Sequence, residues 1–168
     1  LAMMERYLGE AGFRNALRAH MRKFAFGNAT STDLADSLAA QSAQPDVLRQ
    51  AFASFTDQAG VPMLDTRLEC KDGLAILSVA QSRYAPIGAS FATDTRWLVP
   101  MCVRVGRGDT STVECHLLTE VKSRVELAGE SCPDYVHPNA DGAGYYRFRL
   151  DESAQEALNS AFAKLNAF

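Results

Sequence analysis

Hydrophobic positions in this chain follow two spacings, and the change from one to the other falls within the stretch Phe52-Ala-Ser-Phe-Thr-Asp-Gln-Ala-Gly-Val-Pro62. Ahead of it, Leu48, Ala51, Phe52 and Phe55 recur at helical spacing, which predicts a helix with that face buried. Gly60 is suited to the left-handed conformation that closes a helix, and Pro62 cannot continue one. Beyond Pro62, Met63, Leu64, Arg67 and Leu68 are followed by Leu74, Ile76, Leu77 and Val79 across a Lys71-Asp72-Gly73 turn. The stretch therefore reads as a joint between a helical piece and a β piece.

The helical piece divides further. Leu1 to Leu8 reads as the tail of a helix closed by Gly9, already in amphipathic register at Leu1-Ala-Met-Met4, as if cut from a longer chain. Phe13, Leu17, Met21 and Phe24 form one apolar stripe on a second helix that ends at Gly27-Asn28. Arg14, Arg18, Arg22 and Lys23 lie off that stripe on a solvated face. Thr30 to Asp33 resembles a capping box for a short helix burying Leu34, Ala35 and Leu38. Pro45 is suited to the first turn of the helix that leads into the joint.

Short runs bounded by turn residues fill the β piece: Met63–Cys70, Leu74–Arg83, Trp97–Val105, Ser111–Thr119, Val121–Leu127 and Tyr145–Leu150, with a weaker one near Tyr135. Such spacing predicts an antiparallel β-sandwich, so the fold class expected is α+β. From Ser153 the period is helical again, with Leu158, Ala161, Phe162 and Leu165 on one face. The divisions expected are 1–58 helical, 59–150 sandwich, and 151–168 the start of a further helical domain.

Composition changes this picture little. At 47% hydrophobic and 22% charged, the chain has the makings of an ordinary core. A net charge of −3 gives no support for nucleic-acid binding, and no basic run points to a membrane surface. No apolar run is long enough to span a bilayer, and nothing reads as a signal peptide. Cys70, Cys102, Cys115 and Cys132 have no C-x-x-C spacing. Their even number permits disulfides and an oxidising compartment, or equally four small buried thiols. If the turn between Trp97–Val105 and Ser111–Thr119 is centred on Gly108-Asp109, Cys102 and Cys115 fall opposite one another, within or near disulfide range. Cys70 and Cys132 would then be left to each other, with no register argument of their own. A hairpin slipped by one residue would separate Cys102 from Cys115.

Several short motifs occur in order along the chain. Tyr7-Leu8-Gly9-Glu10, Phe13-Arg14, Phe26-Gly27-Asn28-Ala29-Thr30 and Asp33-Leu34 precede Phe55-Thr56-Asp57-Gln58-Ala59-Gly60-Val61-Pro62. Trp97-Leu98-Val99-Pro100, Asn139-Ala-Asp-Gly-Ala-Gly-Tyr-Tyr-Arg147 and Leu150-Asp151 follow. Together they resemble the aminopeptidase N family, the gluzincin zinc aminopeptidases, over essentially the whole chain. Phe55 and Ala35 stand where that family usually has tryptophan. The resemblance implies the last helices of a catalytic domain, the β-sandwich after it, and the first helix of a C-terminal domain cut short at Phe168.

The same resemblance places the chemistry elsewhere. The family's H-E-x-x-H zinc motif, its distal glutamate ligand, its Gly-x-Met-Glu-Asn loop and its transition-state tyrosine all precede the matching region. Tyr7 matches the Tyr-Leu-Gly position and is not assigned that tyrosine's role. No catalytic, metal or substrate-binding residue is assigned to this chain, and it needs no cofactor of its own; one zinc ion belongs to the parent. The parent would remove N-terminal residues from peptides, and this piece would support the active-site domain and connect it to the C-terminal domain. Its partners would be the flanking domains of the same chain. Exposed helix faces at Leu1, Met4 and Leu8 and at Leu158, Phe162 and Leu165 are expected to favour self-association. Disulfides would imply a periplasmic or extracellular parent; free thiols would leave it cytoplasmic. A stand-alone binding or scaffold module without peptidase activity is the rival reading.

Other residue clusters read as structural. Cys115 and His116 are adjacent in a strand and point to opposite faces, and Cys102 with His116 lacks a third group. His20 lies near an apolar stripe, and His137-Pro138 is expected in a loop. Arg107-Gly108-Asp109 fits a hairpin turn better than a recognition tripeptide. Gly142-Ala-Gly144 precedes its strand, so it is no dinucleotide fingerprint, and Asp134, Asp141 and Asp151 are too scattered for a calcium loop.

Overall fold

The computed structural model describes residues 1–90 and 95–162, and its helices and strands divide at the Phe52–Pro62 stretch. Three helices come first: α1 (Ala2–Lys23), α2 (Ser31–Ala39) and α3 (Pro45–Thr56). Gly9 interrupts α1 with φ 73° and ψ 157°, a backbone conformation open to a residue without a Cβ. The helix stops at Phe24 rather than at Gly27, because its last turn has little to pack against: Met21 is 70% exposed and Phe26 fully so. Of the predicted stripe only Phe13 is buried, with Leu17 packed beside the core. The capping box of α2 is present in both directions: Thr30 Oγ1 accepts from the Asp33 N–H at 3.3 Å, and Asp33 Oδ2 accepts from the Thr30 N–H at 2.8 Å. The Thr30 N–H and hydroxyl, both donating to Asp33 Oδ2, hold the Asp33 carboxyl below its usual range. Pro45 occupies the first turn of α3. Asp57 caps that helix; Gly60, at φ 117°, comes three residues later and turns the chain into the first strand.

The strands are β1 (Pro62–Lys71), β2 (Leu74–Arg83), β3 (Val99–Arg107), β4 (Thr110–Leu118), β5 (Lys122–Leu127), β6 (Tyr135–His137) and β7 (Arg147–Leu150). They form a four-stranded sheet in the order β5-β2-β1-β7 and a three-stranded sheet in the order β4-β3-β6. The β1–β2 turn is Asp72-Gly73, both at positive φ, as a two-residue hairpin of this hand requires. One pairing departs from the antiparallel expectation: β7 runs parallel to β1, with Met63 opposite Arg147 and Thr66 opposite Leu150. β7 does not come from a hairpin with β1. It arrives after β6 and a short 3-10 turn at Ala140–Gly142, and such a long connection permits parallel pairing. His137 closes β6, so it lies in a strand and not in a loop.

Alternation sets the core. Leu64, Leu77, Val79, Val125 and Leu127 from one sheet join Val99, Met101, Val103, Val105 and Leu118 from the other in a single hydrophobic cluster. α1 lies against β3, which is why β3 is buried on almost every residue. Met3, Met4, Leu38, Leu48 and Ala51 carry the same cluster into the helices. A final helix, α4 (Glu152–Ser160), packs on β6 and β7. Met4 and Leu158 are therefore covered, contrary to the expected orphaned faces, while Leu1 and Phe162 remain exposed. Leu165 and Phe168 lie outside the described residues.

Asp151 links α4 to the first sheet. Its Oδ1 accepts from the Ala154 N–H (3.0 Å) and the Ser153 hydroxyl (2.7 Å), and its Oδ2 from the Leu68 N–H (3.3 Å). The same carboxylate thus caps a helix and covers the β1 edge where β7 ends. Burial pushes its pKa up, but these hydrogen bonds outweigh that and hold it below the usual carboxylate range.

Candidate functional site

The joint is built from three strips of chain. The first is Arg96-Trp97-Leu98. Gln81 Oε1 accepts from the Trp97 N–H at 2.9 Å, while Gln81 Nε2 donates to the Trp97 carbonyl at 2.9 Å and to the Glu120 carbonyl at 2.9 Å. From the helical side, Gln58 Nε2 donates to the Arg96 carbonyl at 2.8 Å, and Ser54 Oγ accepts from the Leu98 N–H at 3.2 Å. Trp97 itself is completely buried.

The second strip is Asn139 to Arg147. Asn139 Oδ1 accepts from the Gly144 N–H (2.7 Å), and its Nδ2 donates to the Gly144 carbonyl (3.1 Å). A Cβ at Gly144 would stand 2.2 Å from the Tyr146 ring, so only glycine fits between that ring and Asn139. Tyr146 donates its hydroxyl to the Pro138 carbonyl at 2.8 Å, and burial raises its pKa. Tyr145 meets Phe55 edge-on, with ring centroids 6.3 Å apart, and the Arg147 guanidinium stacks on Tyr84 at 4.8 Å. Asn139, Gly144 and Tyr146 thus have contacts that depend on their type, and Tyr145 and Arg147 each meet an aromatic ring.

The third strip crosses from α1 to the second sheet. Asp141, held at φ 57°, receives Arg6 of α1 at 2.5 Å and Arg104 of β3. Arg104 also donates to Ser111 Oγ at 3.1 Å. Between the start of α1, the end of α3 and the second strip lies an apolar pocket of about 370 Å³ whose walls include Met3, Met4, Phe52, Phe55, Ala143 and Tyr145. Phe52 and Phe55 are half-buried against it and not fully enclosed.

The histidines are spread across the fold. His20 Nδ1 lies 3.0 Å from Ser37 Oγ, His116 Nε2 lies 3.7 Å from a Glu114 carboxylate oxygen, and His137 meets Phe148 edge-on at 5.1 Å. Among the described residues, no group of three His, Cys, Asp or Glu side chains is placed to hold a metal ion. The residues in hand therefore do not fit a zinc site. Cys102 is bonded to Cys115 and Cys70 to Cys132. The Cys102 and Cys115 positions face each other in the β3–β4 register, which is the centring at Gly108-Asp109 considered above. Arg107 Nε donates to the Ser131 carbonyl at 2.9 Å, and the Gly108 N–H donates to Asp134 Oδ2 at 2.6 Å, so the Arg-Gly-Asp turn is fastened by its neighbours. Tyr7 is partly buried, and that burial raises its pKa.

No protein-family profile matches the chain. Individual proteins do. It is 30% identical over 175 residues to Aminopeptidase M1 of Arabidopsis thaliana, covering 96% of this chain and 19% of that protein. It is 27% identical over 152 residues to puromycin-sensitive aminopeptidase of Caenorhabditis elegans, covering 90% and 16%. It is 25% identical over 168 residues to Tricorn protease-interacting factor F2 of Thermoplasma volcanium, covering 100% and 18%. The chain is aminopeptidase N-like. It spans 16–19% of the length of these curated relatives.

In this aminopeptidase N-like chain, sequence reasoning identified the motif residues but missed Gln81, Arg6 and Arg104. Gln81 had a signal: it falls at an inward position after Leu77 and Val79, where a polar residue must find partners. The arginines had none, because Arg6, Arg104 and Asp141 meet only through the packing of α1 on β3.

His137 gives the joint a pH dependence. Burial lowers its pKa from the ordinary 6.5, with Arg104 adding to the effect and nearby Asp141 opposing it. The unfolded chain therefore binds the proton more readily. Stability at this site is fully present above about 6.5 and is lost as pH falls from there through the lowered native pKa. Denaturation midpoints measured from pH 7.5 to 5 should fall, and the fall should be smaller in His137→Asn. An identical slope in the variant would assign the effect elsewhere.

Proposed function

We propose that this chain is the supporting and linking part of a zinc-dependent aminopeptidase. Two aminopeptidase relatives, matched over 90% and 96% of the chain, support the parent activity. The observation that carries the local role is the joint, where Arg6 of α1, Ser54 of α3 and Gln58 just after α3 bind the strips directly. The parent removes N-terminal residues from peptides with one zinc, and this chain alone turns over no substrate. Residues 1–58 continue the active-site domain, 59–150 form a sandwich, and 151–168 begin the domain beyond. The parent works in a periplasm or outside the cell, consistent with two disulfides. Exposed Leu1 and Phe162 give the isolated chain a tendency to self-associate.

The decisive test is made on the full-length parent. Asp141→Ala should lower kcat/KM for an aminoacyl substrate by about tenfold, because small misplacements of a supporting element reach the chemistry. Bound zinc should stay at one per chain. Unchanged kcat/KM alongside a lowered melting temperature would reduce the joint to a purely local contact. Stoichiometric zinc and chelator-sensitive turnover in the isolated chain would overturn the assignment of chemistry to other parts of the parent. A parent with no zinc and no turnover would favour the scaffold reading.

A further inference from the structure

The loop between β5 and β6, residues 128–134, crosses the tips of two hairpins. At the β3–β4 tip, Arg107 Nε donates to the Ser131 carbonyl, and Asp134 takes the Gly108 N–H while giving its own N–H to the Gly106 carbonyl at 2.9 Å. At the β1–β2 tip the loop passes so close that a Cβ on Gly73 would stand 2.5 Å from the Glu130 carbonyl oxygen. Cys132, in the middle of this strap, is bonded to Cys70 near the end of β1. That bond ties the four-stranded sheet to a loop fastened on the three-stranded one. Cys102–Cys115 instead joins two strands already paired with each other.

The two bonds also differ in access. Cys132 is exposed, whereas Cys102 is 4% exposed; their partners Cys70 and Cys115 are both partly buried. Thiol–disulfide exchange needs a thiolate to reach one sulfur, so exposure selects which bond reacts.

We propose that Cys70–Cys132 is a redox-sensitive fastener on this strap, addressed by a dithiol reductant, while Cys102–Cys115 is a permanent bond. One thiolate of the reductant attacks the Sγ of Cys132, the exposed residue of the pair. The Cys70–Cys132 bond breaks, Cys70 leaves as a thiolate and takes a proton from water. The second reductant thiol, deprotonated, attacks the mixed disulfide and releases Cys132 as a thiolate, which is protonated in turn. The protein disulfide gains two electrons and two protons, and the reductant is left as its own disulfide. With the fastener open, residues 128–134 are held by hydrogen bonds alone and lift from the hairpin tips.

The experiment treats the folded, oxidised chain with graded dithiothreitol, alkylates it, and reads each cysteine by mass spectrometry. Hydrogen exchange is followed on the same samples. Cys70 and Cys132 should be alkylated at least about tenfold faster than Cys102 and Cys115, as the difference in access requires. Exchange should rise in 128–134 and at the two tips while the far-UV circular dichroism and the Cys102–Cys115 bond persist. Equal rates, earlier opening of Cys102–Cys115, unchanged exchange in the strap, or global unfolding on opening Cys70–Cys132 would each overturn the proposal.

Discussion

Trp97→Ala should cost about 3–5 kcal/mol of folding stability, as truncation of a large enclosed ring typically does. Trp97 has no exposed surface, and its peptide is gripped on both polar atoms by Gln81. The neighbours on either side are held by Gln58 and Ser54 from the helical side. Emptying this position leaves a cavity beside the core and frees the strip to which both halves are tied. Trp97→Phe is expected to lose less, since it keeps most of the ring volume and removes an indole N–H that has no partner among the described residues. Denaturant titration of the two variants checks the order. A Trp97→Ala midpoint within error of the unsubstituted chain would mean that the helices and sheets are not coupled through this strip.

Removing the Cys70–Cys132 bond as Cys132→Ala should cost about 4 kcal/mol in the chain-entropy account, because the bond closes a separation of 62 residues in the unfolded chain. Cys102–Cys115 closes only 13, so its removal as Cys115→Ala should cost roughly 1 kcal/mol less. For a chain of this size, 4 kcal/mol corresponds to a loss of about 10 °C in melting temperature. Calorimetry on both variants reads the ranking directly. The reverse ranking would show that native-state contacts of the β3–β4 pair outweigh loop entropy.

Phe52 and Phe55 show where a sequence-derived expectation needed revision. Their spacing placed them at the joint, and both pack there, yet each borders the apolar pocket and stays half-buried. Truncating either should therefore cost less than truncating Trp97, since part of the ring has no enclosing atoms to lose.

Local rules decided much of this molecule. Thr30 and Asp33 start a helix because their side chains satisfy amides within one turn. Gly9 and Asp72-Gly73 turn the chain because they tolerate positive φ, and strand alternation divided inward from outward residues in β1 and β2. The β3–β4 register, and with it the opposition of Cys102 and Cys115, follows from the position of one tight turn. None of these depends on residues far away in the chain. Other features do. The parallel pairing of β7 with β1 joins segments some eighty residues apart, and no turn dictates it. The shared carboxylate of Asp141 needs α1 laid on β3 before Arg6 and Arg104 come within reach. Met4 and Leu158 read as exposed helix faces, but α1 packs on β3 and α2, and α4 packs on β6 and β7, so both are buried. Spacing along a chain records which face of an element is apolar; what that face meets is settled by packing among elements that share no local signal.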